Sequence, residues 1–566
     1  MSIIFKPNGT LNLAQDASDF LEEIDSGNIK SYDMQRCKNL RLDLQGVAKT
    51  RYGSARINTA IGTPVCGLIE QGGYRYSFGG GAIYKNETSI GSGYSQSNWS
   101  AMLYNAFNDT TQDIFCTDGA TRKRIEAGSV YEWGITAPTA APVITAGAKT
   151  GLSGSYKARY TYCRKSGSTV ICESNPSPEV AAAVALTNGS LSVTWAASTD
   201  GQVTHVRVYR TLLNGDTYYL DTDVAIGTLT LDTNTADGSL GAEVSTTHTR
   251  PPLGATFLAG PNYNGTCFAI VGNLLYYCLP KQPEYWPSTY YIEVSAPQFS
   301  GQCLIFYNGQ PYFITKSEIH QIQGTGHLTF FPYRMNAVTG AQSRQGAVGV
   351  QGKGIFHVGS DGIYCYTGSM DKKITQLNFE PIFRGETVNG VPGAGDLSTS
   401  WLMQYENRLY FGYAGINDVY PSNVLVFNMD TGRTTYYTYG TEIVTVAVNL
   451  TGDRLMGIDR HGYVWILELA NVTTDNDAAI SWECESKNFM LQTRAHFPRW
   501  CKYDVDASGA DSATGQVVLD GVVHQSHVLT GNRNTRKRLV KTGNGSRQSF
   551  RLSGTGPVSI YMVEGE

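Results

Sequence analysis

A tetrahedral zinc site needs cysteines and histidines clustered at short spacing, and this chain scatters them. Its eleven cysteines, from Cys37 to Cys501, include no Cys-x-x-Cys pair, and its nine histidines stand singly. His461 falls in a turn sequence and reads as a structural residue. No Gly-x-Ser-x-Gly elbow is present to expose a serine nucleophile, and no Gly-x-x-x-x-Gly-Lys-Ser/Thr loop to cradle a phosphate. Gly79-Gly80-Gly81 lacks the following helix that anion binding requires, so it reads as a turn. Asp232 to Gly238 has the acidity of a calcium loop but neither its spacing nor its bidentate Glu. Glycoside hydrolysis needs paired carboxylates flanking the scissile bond. Here Asp118, Asp361 and Asp430 sit in turn sequences, and Ser360-Asp361-Gly362 has the wrong spacing for a sialidase Asp box. The expectation is no catalytic residue, no metal ligand and no cofactor.

Basic residues do recur at close spacing in two places. Arg122-Lys123-Arg124 follows the Asp118-Gly119 turn; a denser run holds Arg533, Arg536, Lys537, Arg538 and Lys541, with Arg547 and Arg551 beyond. Such a face can contact DNA phosphates without reading sequence, meet an acidic protein surface, or simply be solvated. The formal net charge is −4, so the chain as a whole is no polyelectrolyte binder. The two clusters are the candidates for DNA or subunit contact.

The elements that must position these groups read as strands. A tight turn feeding a short aromatic-aliphatic strand recurs at Gly80 to Lys85, Gly272 to Tyr277, Asp361 to Tyr366, Asn407 to Phe411 and His461 to Ile466. Turn dipeptides such as Asn214-Gly215, Asn264-Gly265, Asn308-Gly309 and Asp520-Gly521 break the chain at strand-length intervals, and type I′ turns need the positive φ that Asn and Gly accept. The best helical signal is Ala17 to Ile24, which Asp25-Ser26-Gly27 would end after about two turns. Charged residues are 16% of the chain, Gly 62 and Tyr 35 of 566. That composition suits short strands and extensive subunit contact, because interface cores favour Tyr and disfavour Lys and Glu. The class is all-β, with blade-sized spacing between equivalent strands pointing to a β-propeller body; two stacked sandwiches are the alternative.

By texture, residues 1–60 form a lead-in and 61–135 the first part of the propeller. Residues 136–252 are bounded by Ala137-Pro138 and Pro251-Pro252 and alternate cleanly, predicting an inserted fibronectin/immunoglobulin-like β-sandwich. The propeller resumes over 253–474, and 475–566 reads as a small C-terminal β-sandwich. The cysteines read as buried free thiols of a protein assembled in a reducing cytosol; a Cys163–Cys172 hairpin bridge is the alternative. No apolar run approaches the roughly 20 residues that cross a bilayer. The first residues show no signal-like n-region, which predicts a protein without visible export.

The stretch Asn39 to Gly53, with Gly46, Lys49 and Arg51, resembles the lead-in motif of short-tailed bacteriophage tail nozzle (tail tubular protein B-like) proteins. Thr50 separates Lys49 from Arg51 here, and Tyr52 stands where Pro is usual. Tyr74-Arg75-Tyr76, Gly80 to Lys85 and Ile90-Gly91-Ser92-Gly93 are similar to the first blades of packaged-DNA stabilisation proteins. Val203 to Thr211, Tyr218-Tyr219-Leu220 and Leu231-Asp232-Thr233 resemble their fibronectin-like insertion, and Arg547 to Tyr561 their closing strands. The resemblance implies a structural virion protein, not an enzyme, assembled in the bacterial host cytoplasm. Its partners would be itself as a homohexamer, an adaptor or portal-side protein, fibre, spike or needle proteins, and double-stranded DNA crossing the lumen. Two other readings stay open: a carbohydrate-binding or adhesion propeller, and a propeller glycosidase.

Overall fold

The computed structural model of the chain describes residues 2–26, 28–42, 46–105, 112–375, 378–449, 452–490, 498–531, 533–540 and 545–566. Strands dominate; among the described residues the single α-helix is Glu380–Phe383. Five antiparallel sheets each take four consecutive strands in chain order, over 65–92, 100–132, 257–293, 301–334 and 347–373. A sixth such meander, 401–437, opens a larger sheet. The seventh is built from Ile443–Val448, Leu455–Asp459 and Tyr463–Leu469, and its fourth strand is Gly53–Ala60 from the far end of the sequence, antiparallel to Tyr463–Leu469. Repeated four-stranded meanders, the last completed by an early strand, are propeller-type topology. The chain is all-β of that type, carrying an inserted sandwich.

Two compact units emerge: residues 1–92, 312–321 and 334–566, and residues 93–311 and 322–333. Within the first, the opening strands of successive meanders stand side by side: Ala347–Val350 against Trp401–Tyr405, that against Ile443–Val448, and that against Val65–Gln71. Within the second, Ser100–Tyr104 meets Phe257–Ala259, which meets Gly301–Tyr307. Contact between opening strands is the radial arrangement of blades about an axis. Their facing layers bury rings and aliphatics, among them Trp401, Tyr410, Val424 and Leu455 in the first unit and Phe115, Trp133, Ala269 and Trp286 in the second.

The insertion, inside the second unit, pairs Val143–Ala146, Leu191–Thr194 and Thr230–Thr233 in one sheet and Thr169–Glu173, Ala158–Ser166, His205–Thr211 and Tyr218–Ala225 in another. Alternation works as expected: Leu191, Val193, Val206 and Val208 are fully buried in its core. That same period separates Cys163 from Cys172. Cys163 lies opposite Glu173 and Arg164 opposite Cys172, so the two thiols sit on opposite faces of the hairpin and form no bridge. All eleven cysteines are free and buried.

The C-terminal sandwich is not made from 475–566 alone. One of its sheets runs Glu23–Asp25, Asn28–Ser31, Ile3–Phe5, Ser559–Gly565, Trp500–Asp506 and Thr535–Arg538. The other carries Met34–Lys38, Ser481–Ser486, Arg547–Thr555, Ser512–Leu519 and Val522–Val528. The lead-in thus supplies strands to both sheets, and Phe5, Met34, Tyr503, Phe550 and Ile560 share one core.

The helix expected over Ala17 to Ile24 does not form. Ala17 and Phe20 are buried, but Leu21 and Ile24, which would continue the same helical stripe, are 85% and 73% exposed, and a turn with Ser26 at φ 49° returns Glu23–Asp25 against Asn28–Ser31. The recurrent aromatic strand is the third of its meander at Ala82–Lys85, Leu274–Tyr277, Ile363–Tyr366 and Tyr463–Leu469, but the second at Arg408–Tyr413. Asn308-Gly309 and Asp520-Gly521 have both φ values positive, as type I′ requires, whereas only Asn214 and Gly265 do in the other two dipeptides.

Candidate interaction surfaces

Thr535–Arg538 pairs antiparallel with Trp500–Asp506, Trp500 opposite Arg538 and Lys502 opposite Arg536. Pleating therefore turns Arg536 and Arg538 to the exposed face and Lys537 to the side of buried Cys501. Arg536 pairs with Glu566 and stacks over the Trp500 ring at 4.9 Å. Arg533 makes a two-pronged contact with Asp504, 2.8 and 2.9 Å, and lies 3.8 Å over Tyr561. Arg538 is exposed and has no ion-pair partner among the described residues. Lys541 lies outside the described residues. The strand is the last in its sheet, so its second edge faces no other strand among the described residues.

The other cluster turns inward. Arg124 is fully buried and donates from Nη1 to Glu284 Oε1 at 2.9 Å, with Glu126 and Asp113 close by. Burial works against its charge, and these carboxylates hold its pKa above the usual value. Glu284 also accepts the Gly134 N–H at 2.7 Å, and burial pushes its carboxyl up against the pull of Arg124. Arg122 donates to the Pro251 carbonyl at 2.6 Å; burial and neighbouring Arg250 push it down to about 10. Lys123 pairs with Glu132. Arg122 therefore fastens the second meander to the exit of the insertion, Arg124 ties it to the third meander through Glu284, and Lys123 pairs within its own meander, so Arg124 is no surface contact. A buried charge must be paired, and the meander's alternation placed Arg124 on the inner face.

The lead-in motif has a physical role as well. Arg51 is buried and gives every donor a partner: Asn39 Oδ1 at 3.1 Å, the Tyr52 and Thr438 carbonyls at 2.8 and 2.6 Å, and the Asp475 carboxylate. Asn39, at φ 54°, also accepts the Thr438 N–H and donates to the Ser481 carbonyl. Arg51 stacks on Tyr439 at 4.4 Å, whose hydroxyl donates to Glu468 at 2.8 Å. Burial pushes the Glu468 carboxyl up to about 7, against the pull of Arg51. Its second oxygen has no hydrogen-bond partner among the described residues. This clasp was not visible in the sequence beyond the Asn39, Lys49 and Arg51 spacing; Lys49 itself is exposed.

Inside the second unit a cleft of about 810 Å³ lies between the second meander and the insertion, lined among others by Tyr131, Glu132, Thr139, Asp200 and Arg250. Among the described residues, no group of three His, Cys, Asp or Glu side chains is placed to hold a metal ion. Asp237, in the calcium-like stretch, is spent on Arg210 at 2.8 Å. No described helix is long and apolar enough to cross a membrane.

The strand pairing defines a propeller-type β protein with an inserted sandwich. No protein-family model and no curated protein matches the chain. Among solved structures it is similar to Kluyveromyces lactis Hsv2, at 8% identity over 62% of this chain and 96% of that one, TM-score 0.25. The BBS1N structure in complex with ARL6DN matches at 8% identity over 75% and 99%, TM-score 0.26. The extracellular domain of the one-component system BT4673 from B. thetaiotaomicron matches at 10% identity over 90% of this chain and 60% of that one, TM-score 0.28. At these scores the matches carry no argument, and the fold rests on the strand pairing.

Proposed function

We propose that the chain is a ring-forming structural protein of a short-tailed bacteriophage tail, a nozzle subunit that continues and closes the DNA channel. The observation that supports this reading is the order of parts: a lead-in clasped by Asn39 and Arg51, two meanders, an inserted sandwich, five more meanders, and a C-terminal sandwich completed by N-terminal strands. Within it, the run of lead-in, first blades, inserted sandwich, resumed propeller and closing C-terminal strands is the order the motif resemblance implies. Six copies around a channel would meet an adaptor above and fibre, spike or needle proteins outside, without reading DNA sequence. Negative-stain microscopy of the purified chain, alone and with a tail adaptor ring, tests it. Six-fold rings or tubes are expected; particles that stay single at high concentration in both samples overturn it.

A second reading has the cleft beside the insertion in its favour: a carbohydrate-binding or adhesion propeller, with Tyr131 as stacking platform and Glu132 and Asp200 as hydroxyl acceptors. Glycan-array binding by the full chain that Tyr131→Ala abolishes would favour it over the nozzle.

A further inference from the structure

Two of the buried thiols face each other across strands that come from opposite ends of the sequence. Cys37 lies on Met34–Lys38, the lead-in strand that enters the C-terminal sandwich, directly opposite Cys484 on Ser481–Ser486. Both belong to the core that holds Phe5, Tyr503 and Phe550, and they are 2% and 0% exposed. Cys484 Sγ lies 3.5 Å from Sδ of Met34, a residue of the same lead-in strand.

The type of pairing decides whether two opposed cysteines can be joined. The Asn39 N–H donates to the Tyr436 carbonyl at 2.8 Å, and backbone groups alternate sides along a strand, so those of Cys37 turn toward Thr434–Tyr437. The Gly556 N–H donates to the Ile480 carbonyl at 3.0 Å, and by the same alternation the backbone groups of Cys484 turn toward Arg547–Thr555. Cys37 and Cys484 are therefore a non-hydrogen-bonded pair, the narrow kind, with Cα atoms about 4.5 Å apart. Opposed Cβ atoms stand about 4.5–5.5 Å apart and closest in narrow pairs, and a disulfide spans about 3.5–4.5 Å between them. Cys267 and Cys278 also face each other, but as the wide kind. There the Cys278 N–H donates to the Cys267 carbonyl at 3.0 Å, and the Cys278 sulfur is held by the Cys267 N–H at 3.0 Å.

We propose that Cys37 and Cys484 are a cross-linking site: a small-molecule disulfide of the oxidised-glutathione class converts the pair to a disulfide that staples the lead-in to the C-terminal sandwich. One protein thiolate attacks a sulfur of the oxidant and displaces a thiol; the other then attacks the mixed disulfide at the protein sulfur and displaces the second. The protein dithiol is oxidised, the small disulfide is reduced to two thiols, and these carry away the two protons. Burial pushes both cysteine thiols up, so neither is a ready nucleophile while the strand is docked. Exchange proceeds through openings of Met34–Lys38 and is slow in the closed chain. Once formed, the bridge joins residues far apart in sequence, the case in which a cross-link restricts the open chain most. The proposal does not depend on ring formation.

The test uses the full chain, reduced and then held with oxidised glutathione at mildly alkaline pH in a urea series ending just below the unfolding midpoint. Free thiols are alkylated before proteolysis and mass spectrometry. A reductant-sensitive peptide pair joining Cys37 to Cys484, lighter than the reduced peptides by two hydrogens, is expected to accumulate faster as urea rises. Hydrogen exchange over Met34–Lys38 is expected to slow at least about tenfold in the bridged chain. Cys484→Ala, its fold confirmed by circular dichroism, is expected to show no such slowing under the same oxidant. Recovery of Cys37 and Cys484 as alkylated thiols at urea concentrations where Met34–Lys38 exchanges freely overturns the proposal. So does a glutathione adduct on either cysteine that never proceeds to the bridge, or a Cys267–Cys278 bridge formed in its place. A Cys37–Cys484 bridge that leaves exchange unchanged overturns its role as a staple.

Discussion

Glu468 should make the clasp that holds the lead-in sensitive to pH. Its carboxyl is buried beside Tyr439 and Arg51, and burial raises it to about 7, whereas the same group in an unfolded chain titrates near 4.5. An acid whose folded value is raised contributes stability that is fully present below pH 4.5 and is lost as pH rises through 7. Integrating the two titrations from pH 5 to pH 8 gives a loss of about 2.5 kcal/mol, or about 70-fold in the opening equilibrium. Hydrogen exchange read by mass spectrometry on peptides covering Tyr463–Leu469, corrected for the intrinsic pH dependence of exchange, measures that opening directly. Glu468→Gln keeps the acceptor for Tyr439 but cannot ionise. It should abolish the slope and leave the variant better protected than the parent at pH 8. Parallel slopes in parent and variant would refute the reasoning, because they would place the titrating group elsewhere.

Other substitutions probe the remaining contacts. Arg124→Ala should destabilise the second unit by about 3–5 kcal/mol by stranding Glu284 as a buried charge; Arg124→Met with Glu284→Gln should recover part of that loss in urea unfolding. Phe550→Ala, at a fully buried site where both C-terminal sheets meet, should cost about 3–5 kcal/mol and lower the urea midpoint. Gly462→Ala should lower the melting temperature more than Gly93→Ala. Both glycines have positive φ, 85° and 84°, but a Cβ at Gly462 would sit 2.3 Å from the Ile61 carbonyl oxygen, whereas Gly93 faces open space.

Much of the fold was legible because strand sequences and turns are local. The period-two burial of Leu191, Val193, Val206 and Val208 and the two-residue turns at Asn308-Gly309 and Asp520-Gly521 need only neighbouring residues to specify them. The inserted sandwich stood out for the same reason. Reading Ala17 to Ile24 as a helix failed because only Ala17 and Phe20 of its apolar stripe are buried while Leu21 and Ile24 pack against nothing, and helices draw most of their stability from a continuous packed face. The basic cluster at Arg122 to Arg124 looked like surface because charge in a sequence does not say which face of a strand it lands on. Its acids, Glu284 above all, lie up to 160 residues away.

The amino-acid sequence alone determined an all-β chain of short strands with an insertion over 136–252, because turn chemistry and alternation act over a few residues. Only the tertiary structure decided that Gly53–Ala60 completes the seventh meander, that N-terminal strands finish the C-terminal sandwich, and that Arg51 and Arg124 are buried anchors. Those outcomes depend on pairings across hundreds of residues. There, hydrogen bonding and charge burial are settled by which surfaces meet, not by the residues next to them in the chain.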